Sequence, residues 1–382
     1  MRIAARAWLC ANAFRVHADI SNGLFEELRE LSTAAGDKPS LANGMVGLMM
    51  EHMRHGRVRE ASRLASETMA LVESIAKPTL GVGLSLAAIS VKSQTGEMAE
   101  ALRWSQTVIE LADGDPTKGN FVFGSPLAMA LASRGTALWA LGRAGWRDDY
   151  DRALAMARGA DPMSHAIVNT YAYGFAISDG VLLADDAALR DIEEALEITE
   201  RSSEDFALGF ARWALGMALV HRESPAERER GLVVLGQVRD MCLEGRFYQF
   251  SLAAVDVYTA RERARCGDRD RAIPQMRAAT DDLFNAGQHS YGIPATGLLV
   301  ETLLDRGAES DVAEAEAAID RLAADPADEG LVIRDVWLLR MRALLARAHG
   351  DDTSYRDYRD RYRAMATELG FEGHMKWAEA MP

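Results

Sequence analysis

The residues that could bind a metal or drive catalysis are few and poorly spaced for either task. His52 and His55 stand one helical turn apart, but Glu51 precedes the first histidine, whereas the metalloprotease pattern needs a glutamate directly after it. Asp113 and Asp115 have the spacing of calcium ligands, but a glycine stands where the loop needs its bidentate glutamate. A solvated helix end and a turn explain these residues better, and we predict no metal site.

Catalytic motifs are missing as well. The sequence has no Gly-Lys dipeptide, which a phosphate-binding loop requires, and no Gly-x-Ser-x-Gly nucleophile motif. Four aspartate pairs lack the further aspartate of a helical diphosphate-binding enzyme and suit helix N-terminal caps; they lie at 148–149, 185–186, 281–282 and 351–352. We predict a non-catalytic chain without a cofactor, with an α/α-barrel enzyme as a minor alternative.

Charge and cysteine content narrow the partners and the compartment. With 43 Lys and Arg against 57 Asp and Glu, the formal charge is −14, which opposes nucleic acid as the main partner. The densest positive stretch, 261–271, is interleaved with acidic residues. Three scattered cysteines suggest neither a disulfide framework nor a zinc cluster and favour the cytoplasm. No stretch is apolar for long enough to span a membrane, so we expect no membrane partner either.

The elements that carry these residues are helical almost throughout the chain, with apolar positions at helical spacing in windows such as 101–111. Glycines recur at intervals of about 40 residues, for example at Gly56, Gly96 and Gly142, and prolines lie between them. A glycine supplies the left-handed turn that ends one helix, and a proline stops the next helix from continuing. Each unit is therefore predicted to be an antiparallel helix hairpin.

This pattern predicts an all-α fold, a right-handed α-solenoid of about eight to nine tetratricopeptide-like hairpins. The predicted helix pairs span 3–36, 41–76, 80–113, 126–159, 164–201, 204–244, 246–286, 291–324 and 331–370. The region 180–245 is the least regular. A loop is predicted between Asp113 and Ser125, with Pro126 starting the next helix.

Two resemblances refine this interpretation. A glycine followed five residues later by an alanine, as at Gly96 and Ala101, resembles the tetratricopeptide repeat (TPR) in a longer variant. Five longer phrases resemble the C-terminal helical region of bacterial multidomain proteins that carry a class III adenylate cyclase domain and a signalling (LuxR/STAND-like) ATPase module. These phrases lie at 59–75, 102–128, 142–164, 260–279 and 370–382.

The resemblance implies a regulatory region whose catalytic domains lie elsewhere in the full-length relatives. Residues 1–382 are then one solenoid, truncated at the N-terminus relative to those relatives, because helical sequence begins at residue 2 without a polar cap. The alternative is that residues 2–18 are themselves the capping unit.

A partner is expected in the concave groove, which the first helix of each pair lines in TPR superhelices. Counting back from the hairpin glycines gives the candidate partner-binding residues: Asn43, Arg54, Ser90, Gln94, Trp139, Arg261 and Arg265. The mixture suits an acidic or extended peptide, with Trp139 as an aromatic anchor, although a core position for Trp139 is the preferred interpretation.

A second aromatic cluster comprises Tyr171, Tyr173 and Phe175. Their spacing puts them on different sides of a helix, so at least one should be exposed or contact a neighbouring hairpin. We assign no ligand to them.

Taken together, these features predict a non-catalytic regulatory or sensor module. It would bind a protein or peptide, or a small-molecule ligand, in the groove and respond by a change of solenoid curvature. The alternatives are a stand-alone TPR adaptor and the sensor region of a LuxR-type transcription regulator. Residues 331–382 carry no separate basic DNA-binding module, which weighs against the regulator.

Overall fold

Antiparallel helix pairs follow one another along the chain. The computed structural model describes residues 2–13, 22–202, 204–326, 328 and 330–381, and within these ranges no β-strand occurs. The helices are α1 (Arg2–Asn12), α2 (Asn22–Ala35), α3 (Lys38–Arg54), α4 (Val58–Ile75), α5 (Pro78–Thr95), α6 (Met98–Ala112), α7 (Pro126–Ala140), α8 (Trp146–Ala157), α9 (Pro162–Asn169), a π-helical segment (Thr170–Phe175), α10 (Ala176–Ser178), α11 (Asp186–Ser202), α12 (Asp205–Val220), α13 (Pro225–Leu243), α14 (Ser251–Arg265), α15 (Arg269–Ala286), α16 (His289–Arg306), α17 (Asp311–Ala324), α18 (Val332–Ala348), α19 (Asp352–Leu369) and α20 (Glu372–Glu379).

The predicted helix pairs correspond to observed pairs to within a few residues. For example, α3 and α4 occupy the predicted pair 41–76, and α18 and α19 occupy 331–370. The first predicted pair can be compared only in part, because residues 14–21 lie outside the described residues. The prediction of an all-α solenoid of TPR-like hairpins is confirmed, and α20 is a short helix beyond the last predicted pair.

Glycine and proline act at the helix ends as the sequence predicts. The hairpin glycines Gly96 and Gly142 have φ values of 78° and 65°. Pro78, Pro126 and Pro162 each begin an inner helix, α5, α7 and α9. A proline is tolerated there because the N–H that it lacks would have no partner in the first helical turn.

The inner helices are buried on nearly every side. α5 packs against α3, α4, α6, α7 and α16, and most of its side chains are buried. Its sequence is apolar or small around the whole helix, whereas α4 and α6 have one buried and one exposed face. Within the described chain, even these apolar helices lack the combination of length and hydropathy that crossing a bilayer requires.

Helices from the N-terminal half of the solenoid contact helices from its C-terminal half. α5 contacts α16 and α7 contacts α18, although these helices are about two hundred positions apart in the sequence. We call this line of contact, between α5–α7 and α16–α18, the seam. The largest hydrophobic cluster includes buried residues from Ala42 to Met381, and two smaller clusters lie beside it, one around α11 and α12 and one around α1 and α2.

Candidate functional site

One buried carboxylate stands apart from all others in the described chain. Five carboxylates are buried: Glu51, Asp149, Asp179, Glu262 and Asp311. Four of them are ion-paired, Glu51 with Arg54, Asp149 with Arg134, Glu262 with Arg228 and Asp311 with Arg306. The side chain of Asp179 is 8% exposed and has neither an ion pair nor a hydrogen bond with a described residue. Buried charges are normally paired, so this exception needs a physical explanation.

Asp179 follows the π-helical segment and borders a cavity under the seam. The cavity has a volume of about 20 Å³. Its wall includes Gln94 of α5, Trp139 of α7, Phe175 of the π-helical segment and Tyr291 of α16. Single π-helical turns within α-helices are frequent at functional sites because they change the direction of side chains. Four separate elements thus converge on the carboxylate.

The cavity contains an acidic group without a counter-ion. Burial removes water from the Asp179 carboxylate and raises its pKa well above the ordinary range, and no neighbouring cation opposes that effect. Gln94 contributes a second acceptor, because its Oε1 atom is buried without a hydrogen-bond partner. The Asp179 carboxyl group and the Gln94 Oε1 atom therefore border the same cavity, and neither accepts a hydrogen bond from the described chain.

The C-terminal helix α20 forms hydrogen bonds with the backbone of Asp179, Gly180 and Val181, which we call the Asp179 loop. The Nε2–H group of His374 donates to the carbonyl oxygen of Asp179 at 2.9 Å. The backbone N–H of His374 donates to the Gly180 carbonyl at 2.9 Å, and that of Glu372 donates to the Val181 carbonyl at 2.9 Å. The hydroxyl group of Tyr362 bonds the other ring nitrogen of His374 at 2.9 Å. The end of the chain therefore fixes the position of the candidate site.

The buried histidine predicts a pH dependence of stability. Burial, followed by the charge of Arg340, lowers the pKa of His374 to about 3. The unfolded chain then takes up a proton that the folded protein does not, so stability falls as the pH drops below about 6.5. Between pH 7 and pH 5 this linkage costs about 2 kcal/mol. We expect the free energy of unfolding, measured with urea, to fall between pH 7 and pH 5 by about 2 kcal/mol less in His374→Gln than in the natural chain. An equal fall in both proteins would contradict a buried, neutral His374.

Three of the predicted groove residues lie together on the inner surface. Gln94 and Trp139 border the same cavity as Asp179. Ser90 is one turn from Gln94 on α5 and accepts a hydrogen bond from the hydroxyl group of Tyr171 at 3.0 Å. Trp139 is 2% exposed and donates its indole N–H to the hydroxyl oxygen of Tyr150 at 2.7 Å. It is therefore part of the packed interior, which was the preferred interpretation.

The other four predicted residues lie elsewhere. The side-chain amide of Asn43 donates to the Ala7 carbonyl at 3.4 Å, so it faces α1, and Arg54 is buried in an ion pair with a glutamate of its own helix. Arg261 is partly buried with one unsatisfied N–H group, and burial and then the charge of Arg265 lower its pKa to about 10. Arg265 borders a different cavity of about 430 Å³ beside α20. The seven residues therefore do not form one surface.

Sequence reasoning missed Asp179 and Tyr291 and assigned no ligand to Phe175. Phe175 does contact neighbouring hairpins, since its ring centroid lies 5.1 Å from that of Trp213 and 5.8 Å from that of Tyr291. A single aspartate next to a glycine at a helix end has the appearance of an ordinary turn residue. The only available signal was its place after an aromatic cluster in the irregular region.

The residues considered for metal binding do not form a site in the described chain. His55 lies 3.1 Å from Glu51, and no group of three or more His, Cys, Asp or Glu side chains within the described ranges could hold a metal ion. Another cavity, of about 670 Å³, is bordered by Arg103, Arg143 and Arg152 between α6 and α8. It lacks a buried unsatisfied group comparable to Asp179.

Comparison with known proteins agrees with the fold. Neither a protein-family model nor a curated protein matches the chain. A solved structure of a Rap protein complexed with competence and sporulation factor is similar to it, with a TM-score of 0.53 and 12% sequence identity. The match covers 89% of this chain and 96% of that one. At this identity the likeness shows the helical-repeat fold alone.

Proposed function

We propose that this chain is a regulatory binding module in which a ligand in the central cavity controls the opening of the seam. The observation that carries this proposal is the position of an unsatisfied buried carboxylate directly under a contact between two distant parts of one solenoid. A group that binds in the cavity would touch both sides of the seam at once. Binding and curvature would thus be linked through the same residues.

Polar contacts join the described residues at and beside the seam. The hydroxyl group of Ser290 donates to the carbonyl oxygen of Ser93 at 2.6 Å. Beside the seam, one guanidinium N–H of Arg59 on α4 donates to the carbonyl oxygen of Phe284 on α15 at 3.1 Å. The backbone N–H of Ala99 donates to a carboxylate oxygen of Asp328 at 2.5 Å. These bonds join residues that are separated by about two hundred positions in the sequence.

A hydrogen bond contributes about 0.5–1.5 kcal/mol net, so the polar contacts add only a few kcal/mol to the apolar packing between the two sides of the seam. A ligand or partner that prefers one state by about 1–3 kcal/mol would change its population several-fold or more. A graded response of a partner-binding surface to a ligand follows from these magnitudes.

We place the module, as one solenoid over its whole length, in the context of cytoplasmic adenylate cyclase and ATPase signalling proteins. The five phrases that resemble the helical region of those proteins support this placement. The gene itself provides the test. A cyclase domain or a signalling ATPase module in the same reading frame, or beside it, would support the placement, whereas a free-standing gene would favour a stand-alone adaptor.

A disulfide across the seam tests the regulatory role. A Cβ atom built on Gly96 lies 3.3 Å from the Cβ atom of His289, close to the separation of about 3.5–4.5 Å in disulfides. We would introduce Gly96→Cys with His289→Cys in a Cys266→Ser background, since Cys266 is an exposed thiol. The oxidised protein, verified by mass spectrometry, cannot open its seam. Proteins retained from a native lysate by the oxidised and reduced forms are then compared and identified.

The reduced form is the matched control, because it carries the same substitutions and the same strain at residue 96. We expect at least one partner to be retained by one form about tenfold more than by the other. Equal retention of every partner by the two forms would refute control by the seam. Retention of nothing by either form would refute the protein-binding role.

A further inference from the structure

The structure assigns a ligand chemistry to the cavity beneath the seam: we infer that it binds a primary ammonium group, with the Asp179 carboxylate as the counter-ion. This inference rests on the proposed function, because it names the ligand of that same cavity. The ammonium group could belong to a lysine side chain, to the N-terminus of a peptide or to a free amine. All three present the same chemistry to the site.

The Asp179 carboxylate has no positively charged partner in the described chain. A buried carboxylate without a partner costs several kcal/mol when it is ionised, and the other buried carboxylates of the described chain avoid that cost by pairing with arginine. No Arg, Lys or His is among the residues that border the cavity. A cation from outside the chain would remove the cost and return the pKa of Asp179 toward its ordinary range.

The volume of the cavity distinguishes an ammonium group from larger cations. A cavity of about 20 Å³ holds one group the size of a water molecule. An ammonium group has about that size, whereas a planar guanidinium group is larger. The cavity therefore favours a lysine or an amine over an arginine in the closed form of the solenoid.

The remaining wall also suits an ammonium group. An ammonium group has three N–H donors, and the Asp179 carboxylate and the unpartnered Oε1 atom of Gln94 supply acceptors for them. The rings of Trp139, Phe175 and Tyr291 border the same cavity. Aromatic rings near a desolvated cation add cation–π attraction.

The test uses the purified chain with defined amines at pH 8. The probes are n-butylammonium, an N-acetylated and C-amidated Gly-Lys-Gly peptide, and an amidated Gly-Gly-Gly peptide with a free N-terminus. Binding is measured by thermal unfolding and by tryptophan fluorescence, since Trp139 borders the cavity. The lysine peptide and the free N-terminus distinguish the two peptide sources. Butanol and butylguanidinium are the controls for charge and size.

Asp179→Asn removes the charge and keeps the shape of the side chain. We expect it to weaken butylammonium binding about ten- to a hundredfold, the range for loss of a hydrogen bond to a charged group. Without any amine at pH 8, this variant should melt at a higher temperature than the natural chain, because the raised pKa of Asp179 lowers stability above its ordinary pKa and an asparagine does not titrate. Gln94→Met tests the second acceptor and should weaken binding by a smaller factor.

Asp335→Asn is the matched control. Burial raises the pKa of Asp335 as well, but this residue does not border the cavity. It should leave the response to butylammonium unchanged. The inference is overturned if no ammonium probe binds, if butanol binds as well as butylammonium, or if Asp179→Asn responds like the natural chain.

This test separates the ligand chemistry from the proposed function, because it requires no protein partner. If the amines fail while the oxidised and reduced seam variants still retain different partners, only the ammonium assignment is wrong. If the amines bind while the oxidised and reduced forms of the seam variant retain the same partners, the seam does not control partner binding, but the assignment of the cation site is supported.

Discussion

Gly180→Ala is expected to lower the free energy of unfolding by about 2–5 kcal/mol. Gly180 has a φ of 71°, where a residue with a Cβ atom is strained by about 1–2 kcal/mol. An added Cβ atom would also lie 2.5 Å from Cζ3 of Trp377 and 3.1 Å from Cδ2 of His374. Overpacking of this kind typically costs about 1–3 kcal/mol more. Urea unfolding followed by circular dichroism measures the sum.

Gly350→Ala separates the two contributions. Gly350 has nearly the same φ, 72°, but no other group lies within 4 Å of an added Cβ atom. The free energy of unfolding of this variant should therefore fall only by the cost of backbone strain at positive φ, about 1–2 kcal/mol. If both variants lost the same free energy, α20 would not pack on the loop that carries Asp179.

Trp337→Ala is expected to destabilise the protein by about 3–5 kcal/mol, the range for removing a buried tryptophan. The indole ring of Trp337 is 1% exposed. Its centroid lies 5.2 Å from that of His374 and 5.4 Å from that of Trp377. It also fills the space over Gly297, where an added Cβ atom would come within 2.2 Å of it.

Trp8→Ala is the control for this prediction. The side chain of Trp8 is 64% exposed, so its removal should change the free energy of unfolding by no more than about 0.5 kcal/mol. The two variants are compared by denaturant midpoints under identical conditions. Similar midpoints would mean that Trp337 is not part of a packed core.

These two predictions probe one junction, because Trp337, Trp377 and Gly180 meet where α18, α20 and the Asp179 loop converge. A loosened junction would let the Asp179 loop move. We therefore expect Gly180→Ala to weaken butylammonium binding without any change of a residue that borders the cavity. This outcome would show that the packing of α20 on the Asp179 loop affects amine binding in the cavity.

The helix pairs could be predicted from the sequence because their causes are local. A glycine with positive φ, such as Gly96, ends a helix through its own backbone freedom, and a proline such as Pro126 begins one through its fixed φ. Apolar spacing within about twenty residues then distinguishes the amphipathic outer helices from the apolar inner ones. All these signals lie within a single hairpin.

The candidate site could be predicted only in part. Counting back from the hairpin glycines selected Gln94 and Trp139, which border the cavity, since the position of a residue on a helix follows from its spacing. The same count also selected Asn43 and Arg54, which face other neighbours. Spacing identifies the face of a helix, but it does not identify what packs against that face.

The seam and the unsatisfied charge depend on contacts that no local pattern encodes. Ser93 and Ser290 meet because small rotations between successive hairpins add up over the whole coil. Asp179 lacks a partner because none of the basic residues that the structure describes is carried to it, although arginines reach the other buried carboxylates in the described ranges. Composition and periodicity were therefore sufficient for the repeat and for the inner and outer faces. The closed coil, and the one buried carboxylate without a counter-ion among the described residues, arise from the summed geometry of all the hairpins.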